Sequence, residues 1–265
     1  PSFINSSRLN FNTLRSSEDF FLDQFFDIAS EYGSSVIKAN FPRAFLDLNR
    51  EPFELDPDMF IDKLPEFINS RSKKVALGLG TIPRVVSNSR EIYKNKLKWE
   101  DAEKRIEDFY FPFHMNLKQL LIKIKSEFGF VVLIDCHSMP SMMQPIIDSS
   151  YRALPDFILG DNFGKSSSKN LTQLIEDFLI TKGYSILRNN PYAGGFITQN
   201  YGRPSNSFHV IQIEINRSLY MDEQTFELND GYILLQKNLR DLIKELSKIS
   251  KTNLLDKNHT QAAAE

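Results

Sequence analysis

The sequence predicts a single-domain, three-layer α/β fold with a mostly parallel mixed sheet. Two observations indicate the strands: residues 130–135 (FVVLID) form a continuous apolar run typical of a buried strand, and residues 209–215 alternate between apolar and polar side chains. A third observation is that segments of helical periodicity separate the strand candidates. Because parallel strands end at one edge of a sheet, we expect the ligand site at their carboxyl ends.

The amino-terminal half alternates helix, strand and loop. Ser17 is predicted to cap a helix that places Glu18 and Asp19 in its first turn and continues to about residue 32. Residues 36–41 and 75–79 are predicted strands. Between them, residues 42–50 (PRAFLDLNR) are expected to form an extended or looping segment.

The carboxy-terminal half carries the clearest periodicities. A long helix is expected over residues 99–128, kinked or divided at Pro112. Further predicted elements are strands at 130–135, 156–159, 184–187 and 209–215, and helices at 171–182 and 231–249. We expect one domain over residues 1–251, followed by a polar, flexible tail over 252–265.

Composition restricts the class of partner. The chain has 265 residues, with 32 basic and 34 acidic side chains and a formal net charge of −2, which argues against nucleic acid and acidic membrane surfaces as partners. Cys136 is the only cysteine, so an internal disulfide is excluded and the cytoplasm is the expected compartment. A small-molecule substrate fits this composition best.

His137 is the first candidate site residue. It lies in the segment Asp-Cys-His-Ser, directly after the predicted buried strand, where a ring would be held rigidly at the sheet edge. Such a position suits a metal ligand. A histidine satisfied by neighbouring backbone groups is the alternative that the residues leave open.

Glu214 is the second candidate. It shares one strand face with Gln212, while Ile211, Ile213 and Ile215 take the other. A carboxylate in mid-strand is costly unless it meets a cation, a metal-bound water or an arginine. A structural ion pair with Arg217 or Arg203 is the competing interpretation.

Other polar features are less specific. Glu18 and Asp19 alone are typical helix-capping acids. The segment 190–198, with two glycines, would let backbone approach a ligand or would form a plain turn. His114 is expected to serve in packing or hydrogen bonding, and Cys136 to be a small core residue.

Taken together, seven segments resemble the N-formylglutamate amidohydrolase family. They are SEDFFLDQFF (17–26), PRAFLDLNR (42–50), GLGTIPRVV (78–86), IDCHSMPS (134–141), DFILGDNFG (156–164), PYAGGFITQNYGRP (191–204) and HVIQIEINRSLYMDE (209–223). The resemblance implies a zinc-peptidase-like fold. It also implies hydrolysis of N-formyl-L-glutamate to formate and glutamate in histidine breakdown.

The resemblance also implies site residues. By position, His137 and Asp19 match zinc ligands, and Glu214 matches the carboxylate that activates the metal-bound water. Three arginines in matched segments are candidates for binding the oxyanion and the two substrate carboxylates, since guanidinium groups pair with carboxylates in bidentate fashion: Arg50, Arg203 and Arg217.

One ligand that the resemblance implies does not occur in this sequence. The family's first zinc ligand is a histidine in a Ser-Pro-His-Ser-Gly type motif upstream of residues 2–9, and no such motif lies in this sequence. Since a catalytic zinc commonly has three protein ligands, two alternatives remain beside the deformylase. One is a deacylase of another N-acyl amino acid or short peptide, and the other is a metal-free binding homologue.

Overall fold

The structure is a computed structural model that describes residues 2–86, 89–143 and 152–254. Its contacts divide the chain into two compact units, each described here by itself. Unit 1 comprises Pro1–Glu18 and Lys38–Leu120, and unit 2 comprises Asp19–Ile37 and Leu121–Glu265. The single domain expected over residues 1–251 stays a prediction.

The described residues form ten α-helices and eight strands. The α-helices are α1 (Ser2–Ser6), α2 (Phe11–Arg15), α3 (Leu22–Phe26), α4 (Lys73–Ala76), α5 (Trp99–Arg105), α6 (Phe111–Phe128), α7 (Lys169–Thr181), α8 (Phe196–Tyr201), α9 (Gly231–Leu246) and α10 (Lys251–Leu254). The strands are β1 (Val85–Val86), β2 (Arg90–Glu91), β3 (Val131–Met139), β4 (Met142–Met143), β5 (Arg152–Ala153), β6 (Phe157–Gly160), β7 (Ile186–Arg188) and β8 (Phe208–Asn216).

The long helix predicted from residue 99 is confirmed, with a wider turn in its middle. A π-helical segment, Ile106–Tyr110, joins α5 to α6, and the Phe111 N–H bonds to the Ile106 carbonyl, five residues earlier. Pro112 is the second residue of α6. The wider turn lies where the proline ring would otherwise meet the carbonyl four residues back, so the helix passes the proline without ending.

Two predicted amino-terminal strands are wrong. Residues 73–76 form helix α4, because the Ser72 side chain accepts a hydrogen bond from the Val75 N–H and so caps a helical turn. Gly78, with a φ of 74°, then turns the chain. Residues 36–41 contain no strand, and Val36 is exposed rather than packed in a sheet.

Unit 2 contains a four-stranded sheet in the order β3-β8-β6-β7. β3 runs parallel to β8, β8 runs antiparallel to β6, and β6 runs parallel to β7. The predicted α/β class with a mixed, mostly parallel sheet is confirmed. The pairing of β3 with β8 places Asp135 beside Gln212 and His137 beside Glu214.

The alternation along β8 positions the core of unit 2. Ile211, Ile213 and Ile215 are fully buried in one cluster with apolar residues of α3, α7 and α9. Because successive side chains of a strand point to opposite faces, Gln212 and Glu214 share the other face. The core thereby fixes the direction in which the polar pair points.

Three predictions in unit 2 need correction. The helix predicted from Ser17 begins at Leu22, so Asp19 precedes it and is not a helix-capping residue. β3 extends to Met139, which places His137 inside the strand rather than beyond its end. The middle of β3 is only half-buried, because β3 lies at the edge of the described sheet.

The last described residues also differ from the predicted tail. Helix α10, Lys251–Leu254, includes the first three residues of that tail, and Leu254 is 5% exposed and packs in the core cluster of unit 2. The rest of the predicted tail, residues 255–265, lies outside the described residues. No helix in the described part of the chain is both long enough and apolar enough to cross a membrane.

Candidate active site

His137 lies between two carboxylates. Its Nδ1 is 3.0 Å from Oδ2 of Asp19, and its Nε2 is 3.0 Å from Oδ1 of Asp135. Asp135 belongs to the same strand face, since it precedes His137 by two residues in β3. Both ring nitrogens therefore have side-chain partners, and the alternative of a histidine satisfied by backbone groups is wrong.

These carboxylates change the acidity of the ring. Burial of the imidazole opposes protonation, but the negative charges of Asp135 and Asp19 outweigh it and raise the pKa of His137 well above its usual value.

Asp19 is held by its other oxygen. Its Oδ1 accepts hydrogen bonds from the Ser138 N–H at 2.7 Å and the Ser138 Oγ at 3.2 Å. The Ser138 hydroxyl in turn accepts a hydrogen bond from Nε of Arg217 at 3.1 Å. The buried Arg217 guanidinium also lies over the Phe20 ring, 5.8 Å from its centroid. A short chain of polar contacts therefore fixes the orientation of the Asp19 carboxylate.

Glu214 lies beside this group on the same sheet face. It is 7% exposed, and its Cα partner in the neighbouring parallel strand is that of His137. Its Oε1 accepts a hydrogen bond from Nε2 of Gln212 at 2.6 Å. The structure thus brings together three of the predicted site residues, His137, Asp19 and Glu214, and Arg217 joins them through Ser138.

Arg203 lies at the other end of β8. It pairs through its backbone with Phe208, and its Nη1 donates to the carbonyls of Gln199 and Gly202. Glu214 lies six residues after Phe208 along the strand, a distance of about 20 Å. An ion pair between Glu214 and Arg203 is therefore wrong, and the structure does not place Arg203 near the His137 group.

Arg50 belongs to unit 1. Its side chain is 12% exposed, and its guanidinium donates to the carbonyls of Leu79 and Asn49. Nε of Arg50 also lies 3.6 Å from Oδ2 of Asp47, and Asp47 Oδ1 accepts the Asn49 N–H. The Asp-Leu-Asn-Arg segment is thus held by its own aspartate. Its role toward a substrate stays a prediction.

The two other histidines of the described ranges, and the cysteine, have structural partners. His114 Nε2 lies 2.9 Å from the Leu48 carbonyl, and His209 Nδ1 accepts the Ser168 N–H at 3.1 Å. Burial raises the pKa of the Cys136 thiol well above its usual value, and the charges of Asp135 and Asp19 add to the effect. A thiol that resists ionisation is a poor nucleophile, which agrees with the packing role expected of Cys136.

The side chains of His137 and Asp19 could supply two ligands to one zinc-like ion. An imidazole nitrogen and a carboxylate oxygen are ordinary zinc ligands, and a second carboxylate on the other ring nitrogen is the usual support of a ligating histidine. Within the described residues, no group of three or more His, Cys, Asp or Glu side chains is arranged to hold a metal ion. The described residues therefore fit two ligand positions, those of His137 and Asp19.

A separate cavity of about 270 Å³ lies in unit 2 and is half open to solvent. It is lined by residues of α3, α9 and the 3₁₀ helix that follows α3, and by none of the candidate site residues. We assign it no part in the chemistry of the His137 group.

Three residues that the structure places in the site were not candidates from the sequence: Asp135, Ser138 and Gln212. Two of them carried a signal. Asp135 and Gln212 each lie two residues before a candidate, and strand periodicity puts such neighbours on one face. Ser138 gave no comparable signal, since its role depends on Asp19, which is 119 residues away.

Comparison with known proteins identifies the family of this chain. The family model for N-formylglutamate amidohydrolase matches residues 1–221. The chain belongs to the N-formylglutamate amidohydrolase family. Two N-formylglutamate deformylases, from Pseudomonas aeruginosa and Pseudomonas putida, are each 30% identical to it; the alignments cover 78% and 77% of this chain and 71% of each relative.

Solved structures extend the family likeness to the fold. The N-formylglutamate amidohydrolase from Ralstonia eutropha JMP134 superposes with a TM-score of 0.85 at 32% identity, over 92% of this chain and 87% of that one. A gene product from Agrobacterium tumefaciens shares the fold at a TM-score of 0.65 and 17% identity, over 92% of this chain and 84% of that one.

Proposed function

We propose that this chain hydrolyses the formamide bond of N-formyl-L-glutamate to give formate and glutamate. The observation that carries the proposal is the buried carboxylate of Glu214 on the same sheet face as the His137–Asp19 pair. The names of the Pseudomonas relatives and of the Ralstonia protein support the choice of substrate.

We further propose that His137 and Asp19 are ligands of a zinc ion. Asp135 would hold the ring from its far nitrogen, and Ser138 would hold the Asp19 carboxylate, as outer partners of metal ligands commonly do. When bound, zinc lowers the pKa of a coordinated water and polarises a carbonyl oxygen. The two side chains themselves supply one neutral and one negative donor.

Glu214 serves in this proposal as the general base and then as the general acid. Its carboxylate takes a proton from the attacking water and passes one to the amine of the leaving glutamate. The proton therefore returns to the products, and the enzyme is regenerated. Burial keeps bulk water from competing for that carboxylate.

Arginines bind the negative groups of the substrate in the same proposal. Arg217 is the candidate for the oxyanion, because it is buried and contacts Ser138 directly after His137. Arg50 remains the candidate for a substrate carboxylate. Among the residues that the structure describes, no contact of Arg203 supports such a role. The single cysteine supports the cytoplasm as the place of action.

The decisive experiment is Glu214→Gln with zinc content and formate release measured on the same preparation. We expect kcat to fall by about 10²- to 10⁴-fold, the usual contribution of a general base, with zinc retained. Glu227→Gln is the matched control, because Glu227 is exposed in unit 2, and it should keep full turnover. Unchanged formate release in Glu214→Gln would remove Glu214 from the mechanism and sink the proposal.

A substrate series separates the deformylase from its relatives. N-formylglutamate, N-acetylglutamate and N-formylaspartate differ in acyl size or in the reach of the side-chain carboxylate. We expect kcat/KM to be highest for N-formylglutamate. A clear preference for an acetyl or longer acyl group would assign this chain to another N-acyl amino acid.

A further inference from the structure

Gln212 is a buried residue that no step above uses. It lies in β8 two residues before Glu214, on the same face, and is 5% exposed. Its amide makes two hydrogen bonds: Nε2 donates to Glu214 Oε1 at 2.6 Å, and Oε1 accepts the Gly195 N–H at 2.8 Å. A polar side chain in such a place is expected to be fully bonded.

The Gly195 contact decides which way the amide points. A backbone N–H can only donate, so the amide atom that faces it must be the oxygen. The amide nitrogen is then forced toward Glu214, and an amide nitrogen can only donate. Gln212 therefore offers Glu214 a donor and never an acceptor.

We propose that Gln212 is a positioning residue for the general base, fixed in its orientation by the Gly195 N–H. The inference rests on the proposed role of Glu214. By holding one carboxylate oxygen, Gln212 restricts rotation about the last side-chain bond of Glu214 and aims the second oxygen at the attacking water. A base held in reacting geometry avoids the entropic cost of finding it.

The backbone explains why Gly195 can reach Gln212. Gly160 of β6 is the register partner of Gln212, and a Cβ there would lie 2.7 Å from Gly194 N and 2.8 Å from Ala193 C. The missing side chain at residue 160 therefore lets the 193–195 loop lie directly on the sheet. Gly194 itself has a φ of 113°, a conformation that favours glycine.

Two substitutions test the role of Gln212. Gln212→Met keeps the length of the side chain and removes both hydrogen bonds, whereas Gln212→Glu keeps an acceptor for Gly195 and replaces the donor to Glu214 by a second carboxylate. Gln199→Met is the matched control, because Gln199 is exposed and its amide donates a hydrogen bond to the Gly194 carbonyl rather than to Glu214.

Steady-state kinetics on N-formylglutamate separate positioning from substrate binding. For both Gln212 variants we expect kcat to fall by about 10- to 100-fold, the usual effect of losing an outer-shell partner. KM should change by less than about two-fold, since the lost contact acts in the transition state. Zinc content and thermal midpoint are measured for every variant, and Gln199→Met should match the parent in all four quantities.

The outcomes separate this inference from the function on which it rests. If Glu214→Gln abolishes turnover while both Gln212 variants keep the parental kcat, the positioning role is wrong and the function stands. If Glu214→Gln turns over normally, the function itself fails.

Discussion

Asp19 illustrates how one carboxylate can be divided between two tasks. Oδ1 accepts both hydrogen bonds from Ser138, and Oδ2 faces the His137 ring. Because Oδ1 is already bonded, the carboxylate cannot rotate to offer it to His137 without losing two contacts. The oxygen proposed to bind metal is therefore selected by the neighbouring residue in β3.

At the residue scale, Ser138→Ala tests that selection. The variant loses the hydroxyl that joins Asp19 to Arg217 but keeps the backbone N–H bond to Asp19. We expect zinc affinity to fall by about 10-fold, the lower end of the effect of outer partners, in a competition titration with a chromogenic chelator. Ser247→Ala, whose hydroxyl bonds only a helix carbonyl in an exposed turn, is the control and should bind zinc as the parent does.

An unchanged zinc affinity in Ser138→Ala would show that the backbone N–H alone orients Asp19. In that case the Arg217–Ser138 contact would have to act on something other than the ligand.

Two of the site residues could be identified from local sequence alone. His137 and Glu214 could be picked out because each is a charged or titratable side chain within an apolar strand pattern. Asp19 could not be distinguished from a helix cap by local sequence, because its partner is 118 residues away. Only the resemblance to a family assigned it a role.

At the element scale, segment 42–50 is held by charge rather than by regular structure. Asp47 Oδ2 accepts a hydrogen bond from Nε of Arg43 at 3.0 Å and lies near Arg50. Burial opposes ionisation of Asp47, but Arg43, Arg50 and the Asn49 N–H outweigh it and lower the pKa of this carboxyl. A segment without helix or strand is thereby fixed.

Asp47→Asn is expected to destabilise the fold by about 1–3 kcal/mol at neutral pH, because a charge-assisted hydrogen bond is lost and two arginines remain without their shared anion. A lowered folded-state pKa gives stability that is present above the unfolded pKa of about 3.9 and is lost as pH falls through the folded pKa. The parent should therefore lose more stability than the variant on acidification below about pH 4.

Urea unfolding at pH 7 and at pH 3 measures both effects, with the exposed Asp58→Asn as control. Parallel pH profiles for the parent and Asp47→Asn would contradict the prediction.

Gly160→Ala addresses the loop that reaches β8. The added Cβ meets only backbone atoms, at 2.7–3.0 Å, so the loop or the strand must move. We expect a loss of about 1–3 kcal/mol, as for other overpacked positions, together with a lower kcat. Gly183→Ala, where nothing lies within 4 Å but φ is +87°, should lose stability without losing kcat. Equal kcat in both variants would disconnect the loop from the site.

Local sequence is sufficient to predict some of the helices and strands but not others. The helices predicted at 171–182 and 231–249 and the strand predicted at 209–215 are observed at 169–181, 231–246 and 208–216, because their apolar periodicity matches their burial. The strand predicted at 75–79 is wrong, since a five-residue segment is too short to show a period and the Ser72 cap decides the conformation. The helix start predicted near residue 17 is wrong, because the contacts of Asp19 with His137 and Ser138 outweigh the tendency of Asp19 to lie in a first helical turn.

At the scale of the whole molecule, the single-domain prediction makes a definite claim about unfolding. Trp99 is the only tryptophan, and it lies in unit 1, so its fluorescence reports that unit alone. Far-UV circular dichroism reports the helices of both units. If residues 1–251 form one domain, the two probes should give the same thermal midpoint and a single calorimetric transition. Separate midpoints would show that the two units unfold independently.

The spacing of the site along the chain has a consequence for synthesis. Asp19 is synthesised 118 residues before His137, and β8 is complete only when Asn216 has been added. At about 5–20 residues per second, the ribosome needs on the order of ten seconds or more between the first and the last of these groups. Until His137 and Ser138 are synthesised, Asp19 in the nascent chain lacks both of these partners. A stalled or truncated product that ends before residue 214 has no proposed base and cannot gain activity by folding early.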